Sequence, residues 1–333
     1  METTSASPPK PVLYRGRYAP SPTGWLHLGN ARTALVAWWR ARSLRGRFIL
    51  RVEDLDRPRT VVEAVSGNLD ELRWLGIDWD EGPDVGGPHT PYLQSEREDL
   101  YRATLDRLRV KGSIFECYLS RKELRELSSA PHGQTPIYGP SERMANDRAT
   151  RRKVQGGKSP SLRYRVPDTV IEFEDAWAGP QAASALTDIG DIVVYRADGA
   201  WAYQLAVVAD DIAMGVTEVV RGDDLLPSTA AQILLYRALG AAPPGFAHLP
   251  LLKGTDGGRL SKRRGSLTLK ALREVGVPAE RVVGLLAYSL GLLEHPAELS
   301  ATEALRHFDP SHIVWTPFRL AEPHLAWLGA RPE

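Results

Sequence analysis

An alternation near the start of the chain constrains the fold most. "VLYRGRYA" reads as a strand, and "NARTALVAWWRARS" carries apolar residues at helical spacing. "GRFILRVEDLD" is a strong strand ending in acids, and "TVVEAVSGNLDELRWLGI" is helical again. Strand, helix, strand, helix in that order builds a right-handed parallel α/β unit, because each helix returns the chain to begin the next parallel strand. "SEREDLYRATLDRLRVKG" follows as a third helix. Between about residues 113 and 196 the pattern changes to short strand-like pieces, such as "SLRYRVPD" and "DIVVYRADG", separated by Pro- and Gly-rich turns. That reads as an insertion with its own small core. The α/β pattern returns with "YQLAVVADDIAMGVTEVVRGDDLL", the helix "PSTAAQILLYRALG" and the strand-like "FAHLPLL". The tail from Leu267 is mostly helical around the apolar "ERVVGLLAYSLGLL".

Composition excludes several classes. At 333 residues the chain is too long for one ordinary core. The net charge of +1 leaves any nucleic-acid contact to local patches. One such patch is the basic "SERMANDRATRRKVQGGKSPSLRYR", residues 141–165, which reads either as a solvated loop or as a phosphate-contacting surface. The single cysteine, Cys117, rules out an internal disulfide and a zinc site built on several thiolates. "METTSASPPKP" is polar and proline-rich, lacks the apolar core of a signal peptide, and reads as a disordered lead. No apolar run is long enough to cross a bilayer, so a cytoplasmic protein is expected.

Two elements point to chemistry. In "RYAPSPTGWLHLGNARTAL" a strand passes through two prolines and a glycine into a helix, with His27, Gly29 and Asn30 at the join. The join lies beyond the carboxyl end of a parallel strand, where ligands of open α/β sheets bind. A helix start suits a phosphate, glycines admit close backbone approach, and His27 adds a donor. A capped turn explains the same residues. In "GRLSKRRG", Lys262, Arg263 and Arg264 sit in a glycine-flanked loop, suited to clamping polyphosphate or simply forming a surface cluster.

Together these elements resemble the "HIGH" and "KMSKS" motifs of class I aminoacyl-tRNA synthetases. "RVEDLDRPR", "DEGPDVGGPHTPYLQSER", "YQLAVVADD", "GVTEVVRGDDLLPSTAAQILLYRALG" and "FAHLPLLKGTDGGRLSKRRG" further resemble the glutamyl-tRNA synthetase catalytic core over most of residues 17–320. The chain stops soon after "HFDPSHIVWTPFRL", where that family continues into a helical anticodon-binding region. In this it is similar to the glutamyl-Q tRNA(Asp) synthetases, which attach glutamate to the queuosine base at the wobble position.

The resemblance implies an α/β fold: a Rossmann-like parallel sheet, a small inserted α+β domain, a helical C-terminal region and no anticodon-binding domain. Residues 12–106 and 198–252 would form the catalytic domain and 107–197 an acceptor-binding-like insertion. Residues 253–333 would form the phosphate-clamping loop and helical region, with 1–11 as the lead. The expected substrates are glutamate and ATP, with Mg2+ on the phosphates, and the partner is the anticodon loop of queuosine-containing tRNA(Asp); a monomer is expected.

The resemblance also distributes roles. Arg17 and Arg221 pair with carboxylates, which guanidinium matches bidentately, Arg221 being assigned to the glutamate side chain. Glu53 takes the ammonium, Tyr203 walls the pocket, and Ser21 and the Ala19 backbone complete it. His27, Gly29, Asn30, Leu260, Ser261 and Lys262 meet ATP, His27 and Lys262 being the catalytic pair. Arg17 and Glu53 would pair with each other in an ordinary protein. Asp54 and Asp56 read either as magnesium supports or as turn caps. Many glutamyl-Q synthetases carry a zinc site of C-x-C, tyrosine and a further cysteine. Here Leu119 replaces the second cysteine and nothing thiolate follows Tyr138, so zinc is not expected, the insertion is held by apolar packing, and Cys117 is a buried small residue. Two other readings remain: a truncated glutamyl-tRNA synthetase charging the tRNA 3′ end, and a non-catalytic RNA- or amino-acid-binding paralogue.

Overall fold

The structure, a computed structural model, describes residues 13–127, 137–258, 267–313 and 315–329. The expected lead at 1–11, and Leu260, Ser261, Lys262, Arg263 and Arg264, lie outside the described residues.

Six strands form the main sheet in the order β2 (Arg47–Leu50), β1 (Arg15–Tyr18), β8 (Glu218–Gly222), β9 (Gly245–Leu249), β5 (Val170–Asp175) and β6 (Gly179–Ser184). The first five are parallel, and β6 turns back antiparallel on β5. Strand β1 leads through α1 (Leu28–Ser43) to β2 on one side and pairs with β8 on the other. Its carboxyl end is therefore a topological switch point, where a crevice opens.

Ten of the sixteen residues of α1 are buried, including Trp38 and Trp39, so this helix is enclosed on most sides rather than lying on the surface. It packs on β1, β2 and β8 and is covered by α9 (Ala279–Tyr288) and α10 (Ala301–Leu305). Trp39 satisfies its indole N–H on Ala301 O at 2.9 Å, which ties the C-terminal helices to α1. Alternation along the strands builds the two cores. Val220 and Ala247 face α1, while Val219 and Phe246 face α3 (Glu98–Val110), α6 (Tyr203–Ala213) and α7 (Leu226–Ala238). Arg221 and His248, two residues on from Val219 and Phe246, therefore share the α6 and α7 face.

Two expectations for the insertion change. The basic stretch is not a loop but the helix α5 (Pro140–Gln155): Pro140 opens its first turn, Glu142 takes the Gly139 amide at 2.8 Å, and its Arg, Lys, Ala and Met residues favour helix. Nor does residues 107–197 keep a core wholly its own. Strands β3 (Ile114–Cys117), β4 (Ser161–Tyr164) and β7 (Ile192–Tyr195) make a separate antiparallel sheet, but the β5–β6 hairpin leaves it for the main sheet. Leu162, Tyr164 and Val194 share one apolar cluster with Leu205, Leu234 and Phe246. The local remainder is a cluster of Cys117, Leu124 and Tyr138, against which Leu119 packs. No helix among the described residues is long and apolar enough to cross a membrane.

Candidate active site

A cavity of about 600 Å³ opens at the carboxyl ends of β1, β8 and β9, beside the start of α1. Arg17, Ala19, Ser21, His27, Gly29, Asn30, Glu53, Tyr203 and Arg221 all line it. Every site residue expected from the sequence and lying among the described residues is thus in one place, although they span positions 17 to 221.

At the helix start the capped turn and the cavity wall are the same object. His27 is the N-cap of α1: its Nδ1 accepts from the amides of Gly29 at 3.1 Å and Asn30 at 3.3 Å. Asn30 Oδ1 accepts the His27 amide at 3.2 Å, closing a reciprocal capping box. A neutral imidazole that accepts at Nδ1 carries its proton on Nε2. The Gly29 and Asn30 amides are spent on the cap and so are not offered to a phosphate. Gly29 eases that packing, since a Cβ there would make a tight 3.0 Å contact with His27 Cε1. Gly24, on the cavity wall, has φ 142°, a conformation that favours glycine. Thr268 bridges His27, and Leu269 donates its amide to Leu26 O at 2.8 Å, so the chain re-enters the described structure at the cavity just after the Lys262 segment.

Behind the cavity lies a buried charge network that reaches its wall at Arg17 and Glu53. Arg51, fully buried, donates to Asp211 Oδ1 at 2.6 Å and Glu53 Oε1 at 3.0 Å, and its Nε stands 3.6 Å from Asp210 Oδ2. Arg97 donates to Asp210 Oδ1 at 2.6 Å, and Gln94 and Tyr101 to its other oxygen. Arg17 Nε faces Asp211 Oδ1 at 3.6 Å. Arg17 and Glu53 therefore do not satisfy each other: each is tied into the network, which balances three guanidinium groups against three carboxylates. Burial raises the Glu53 carboxyl above its ordinary value, against the pull of Arg51 and Arg17. Burial likewise raises the Tyr203 phenol, with Glu53 adding to it.

Arg221 differs. It is 4% exposed and makes no ion pair among the described residues. Its Nε donates to His248 Nε2 at 2.9 Å, Nη1 to Gln232 Oε1 at 2.8 Å, and Nη2 to Thr229 Oγ1 at 2.8 Å, with Leu225 O at 3.4 Å. All are neutral acceptors, and one Nη1 hydrogen is left over. Burial lowers the Arg221 pKa accordingly, yet a guanidinium keeps its proton. A desolvated cation without a counter-ion on a cavity wall is a receptor for an anionic ligand.

Asp54 accepts from Ser95 N at 2.8 Å and Ser95 Oγ at 2.6 Å, so it ties the end of the second strand to the turn at 94–96. Asp56 precedes a short 3-10 turn without a side-chain cap bond and lies 3.7 Å from Arg59. Among the described residues no three His, Cys, Asp or Glu side chains are grouped to hold a metal ion. The basic stretch is divided too. Arg143 pairs with Asp191 at 2.6 Å, Lys153 with Glu123, and Arg163 lies over the Tyr138 ring. Arg148, Arg151 and Arg152 are exposed and make no ion pair among the described residues.

Sequence reasoning missed several residues. Arg32, on α1, lines the cavity, donates to Pro250 O and is pushed down to about 10 by burial. Asp210 and Asp211 were visible as two acids inside the apolar helical run "YQLAVVADDIA", and His248 as a lone polar residue in "FAHLPLL". A charge in an apolar segment must be buried with a partner, which is the signal that would have found them.

Comparison with known proteins extends this picture. Residues 14–315 match the family described as tRNA synthetases class I (E and Q), catalytic domain. A glutamyl-Q tRNA(Asp) synthetase of Symbiobacterium thermophilum is 52% identical over 94% of this chain and 98% of its own length. A glutamate–tRNA ligase of a Sulfurihydrogenibium species is 41% identical over 95% of this chain, which spans 67% of that ligase. The crystal structure of a glutamate tRNA ligase from Elizabethkingia meningosepticum, in complex with its amino acid, superposes with a TM-score of 0.82 at 30% identity, covering 95% of this chain and 68% of that one.

Proposed function

The chain belongs to the class I tRNA synthetases of the E and Q type, a family of ligases, and on that premise we propose that it activates glutamate with ATP and transfers it to queuosine in the anticodon of tRNA(Asp). The unpaired guanidinium of Arg221 carries the reading. Glutamate brings two carboxylates and one ammonium. The cavity wall brings Arg17, Arg221 and Glu53, the complementary set of signs. Arg221 takes the side-chain carboxylate, Glu53 the ammonium through the oxygen not held by Arg51, and Tyr203 closes the wall.

An α-carboxylate oxygen then attacks the α-phosphorus of ATP, the bond to the β-phosphate oxygen breaks, and pyrophosphate leaves. His27 Nε2–H and Lys262 stabilise charge on the phosphates, while Gly29 and Asn30 hold the imidazole; magnesium travels on those phosphates. The protein's contribution is position and charge rather than covalent chemistry. A hydroxyl of the queuosine cyclopentene ring next attacks the adenylate carbonyl and AMP departs. The exposed Arg148, Arg151 and Arg152 support this reading as cations for RNA phosphates, which recognition of a single-stranded loop calls on. Three relatives named glutamyl-Q tRNA(Asp) synthetase, matched over 87–98% of their lengths, support the acceptor.

Two assays test this. Glutamate-dependent ATP–pyrophosphate exchange tests activation. Transfer of labelled glutamate to queuosine-modified and unmodified tRNA(Asp), and to a modified anticodon stem-loop, tests the acceptor. The modified RNAs alone should be glutamylated, with binding that weakens steeply in salt. Glutamate on unmodified tRNA but never on the stem-loop would establish a short tRNA-charging enzyme instead.

A further inference from the structure

Three side chains on neighbouring strands form a line that ends at the cavity. Asp175 closes β5, His248 lies on β9, and Arg221 lies on β8 in register with His248. His248 Nδ1 is 2.5 Å from Asp175 Oδ2, and the His248 amide donates to Asp175 Oδ1 at 3.1 Å. Arg221 Nε is 2.9 Å from His248 Nε2. Asp175 is 1% and His248 0% exposed.

The chemistry fixes the protons. A guanidinium N–H only donates, so His248 Nε2 accepts, and the single ring proton lies on Nδ1 and goes to Asp175. Asp175 is itself held by the amides of Trp177 at 3.1 Å and Ala178 at 2.9 Å. The ring plane, the tautomer and the direction of the Nε2 lone pair are all set. Burial, first, and the nearby Arg221 hold His248 below its ordinary pKa, in keeping with a neutral ring.

We propose that Asp175 and His248 are positioning residues that aim the Arg221 guanidinium at the substrate's side-chain carboxylate without neutralising it. This rests on the reading that the cavity takes glutamate. A carboxylate placed directly beside Arg221 would hold it equally firmly, but would occupy the charge the substrate must meet. A neutral imidazole grips Nε and leaves the charge available. The acid that orients the imidazole is one ring further away. Asp175 comes from the β5–β6 hairpin, so a segment within the insertion supports, from behind, a pocket in the parallel sheet. Neither residue lines the cavity, and both act through Arg221.

The test is steady-state ATP–pyrophosphate exchange with separate titration of glutamate and ATP, and thermal melts to confirm folding. His248→Leu should raise the glutamate KM roughly tenfold to a hundredfold, within the range that coupled residues in one hydrogen-bond network span, and leave the ATP KM within about twofold of wild type. His248→Gln, whose side-chain oxygen can accept from Arg221 Nε, should recover most of the loss. Asp175→Asn should fall between them and weaken discrimination against glutamine. If His248→Leu does not fold, the Gln and Asn variants decide alone. A glutamate KM that stays at the wild-type value in folded variants, or glutamate and ATP KM values that rise together, overturns the positioning role. A wild-type enzyme that exchanges with glutamate while the variants match it sinks this inference only; a wild type inert toward glutamate sinks the functional reading as well.

Discussion

Replacing Arg221 by methionine should do two things that seldom go together. In the free enzyme the change removes a buried cation that no described acid neutralises. Of its former acceptors, His248 Nε2 keeps Thr229 Oγ1 at 3.3 Å, whereas Gln232 Oε1 loses its donor although Gln232 Nε2 still donates to Gln204 at 2.9 Å. One unsatisfied buried acceptor costs about 1–3 kcal/mol, and it is offset by removing a desolvated cation without a counter-ion, so stability should change little. Arg51→Met removes an equally buried guanidinium but leaves Asp210, Asp211 and Glu53 without it. Breaking a buried pair from one side costs about 3–5 kcal/mol, so Arg51→Met should melt many degrees lower. Function should show the opposite order of specificity. With substrate bound, Arg221→Met leaves a desolvated carboxylate unpaired, and the same 3–5 kcal/mol, at 1.36 kcal/mol per decade, lowers kcat/KM for glutamate about 150- to 5,000-fold. The ATP KM should hardly move. Thermal melts of both variants and exchange kinetics of Arg221→Met make the comparison. Glutamate kinetics near wild type, or an Arg221→Met melt as depressed as that of Arg51→Met, would refute the view of Arg221 as an open receptor.

Other consequences follow from single groups. Burial raises Glu53 above the ordinary carboxyl value of 4.5, and only its ionised form holds an ammonium; kcat/KM for glutamate, which reports the free enzyme, should thus fall as pH drops through that raised value, and an acid limb centred at or below 4.5 would contradict it. His27→Asn preserves an oxygen that can cap the helix but not the ring's reach, so it should melt close to wild type and lose about 10²–10³-fold in exchange rate; equal loss of both would mean that His27 is only a cap. Purified untagged protein should contain no stoichiometric zinc, and Cys117→Ser should keep the exchange rate; zinc lost together with Cys117 would reverse this. Lys262→Ala should slow adenylate formation on the order of 10²–10³-fold with glutamate affinity retained, and an unchanged single-turnover rate would remove Lys262 from the chemistry.

The sequence exposed what periodicity and local chemistry dictate. Apolar spacing marked α1, α2 (Val62–Trp74) and α7, and the strand-to-helix join marked His27. Arg17, Glu53, Tyr203 and Arg221 came from motif resemblance, and the fold brings them to one cavity. What stayed hidden depends on pairing across the sheet. Nothing local says that "VIEFED" leaves the insertion to join β9, since strand partners are chosen by packing and not by propensity. Without that pairing Asp175 has no histidine to face. The same holds for Arg51 and Asp211, which are 160 residues apart and touch only because the residue that follows β2 meets α6.

The site thus holds buried charge in two different states. Arg17, Arg51 and Arg97 stand against Glu53, Asp210 and Asp211 before any substrate arrives, so their charges are balanced, although Arg17 Nε and one Glu53 oxygen make no hydrogen bond within the set. Arg221 is surrounded as closely, but by a histidine, a glutamine and a threonine that accept its hydrogen bonds and return no charge. A hydrogen-bonded but unneutralised cation gains most from a ligand that carries a negative charge, and gains little from a neutral isostere of the same shape. Substituting an amide for the substrate carboxylate keeps the size and loses the charge. On the function proposed above, selection of glutamate over glutamine needs no steric barrier and follows from which arginine the fold leaves without an acid among the described residues.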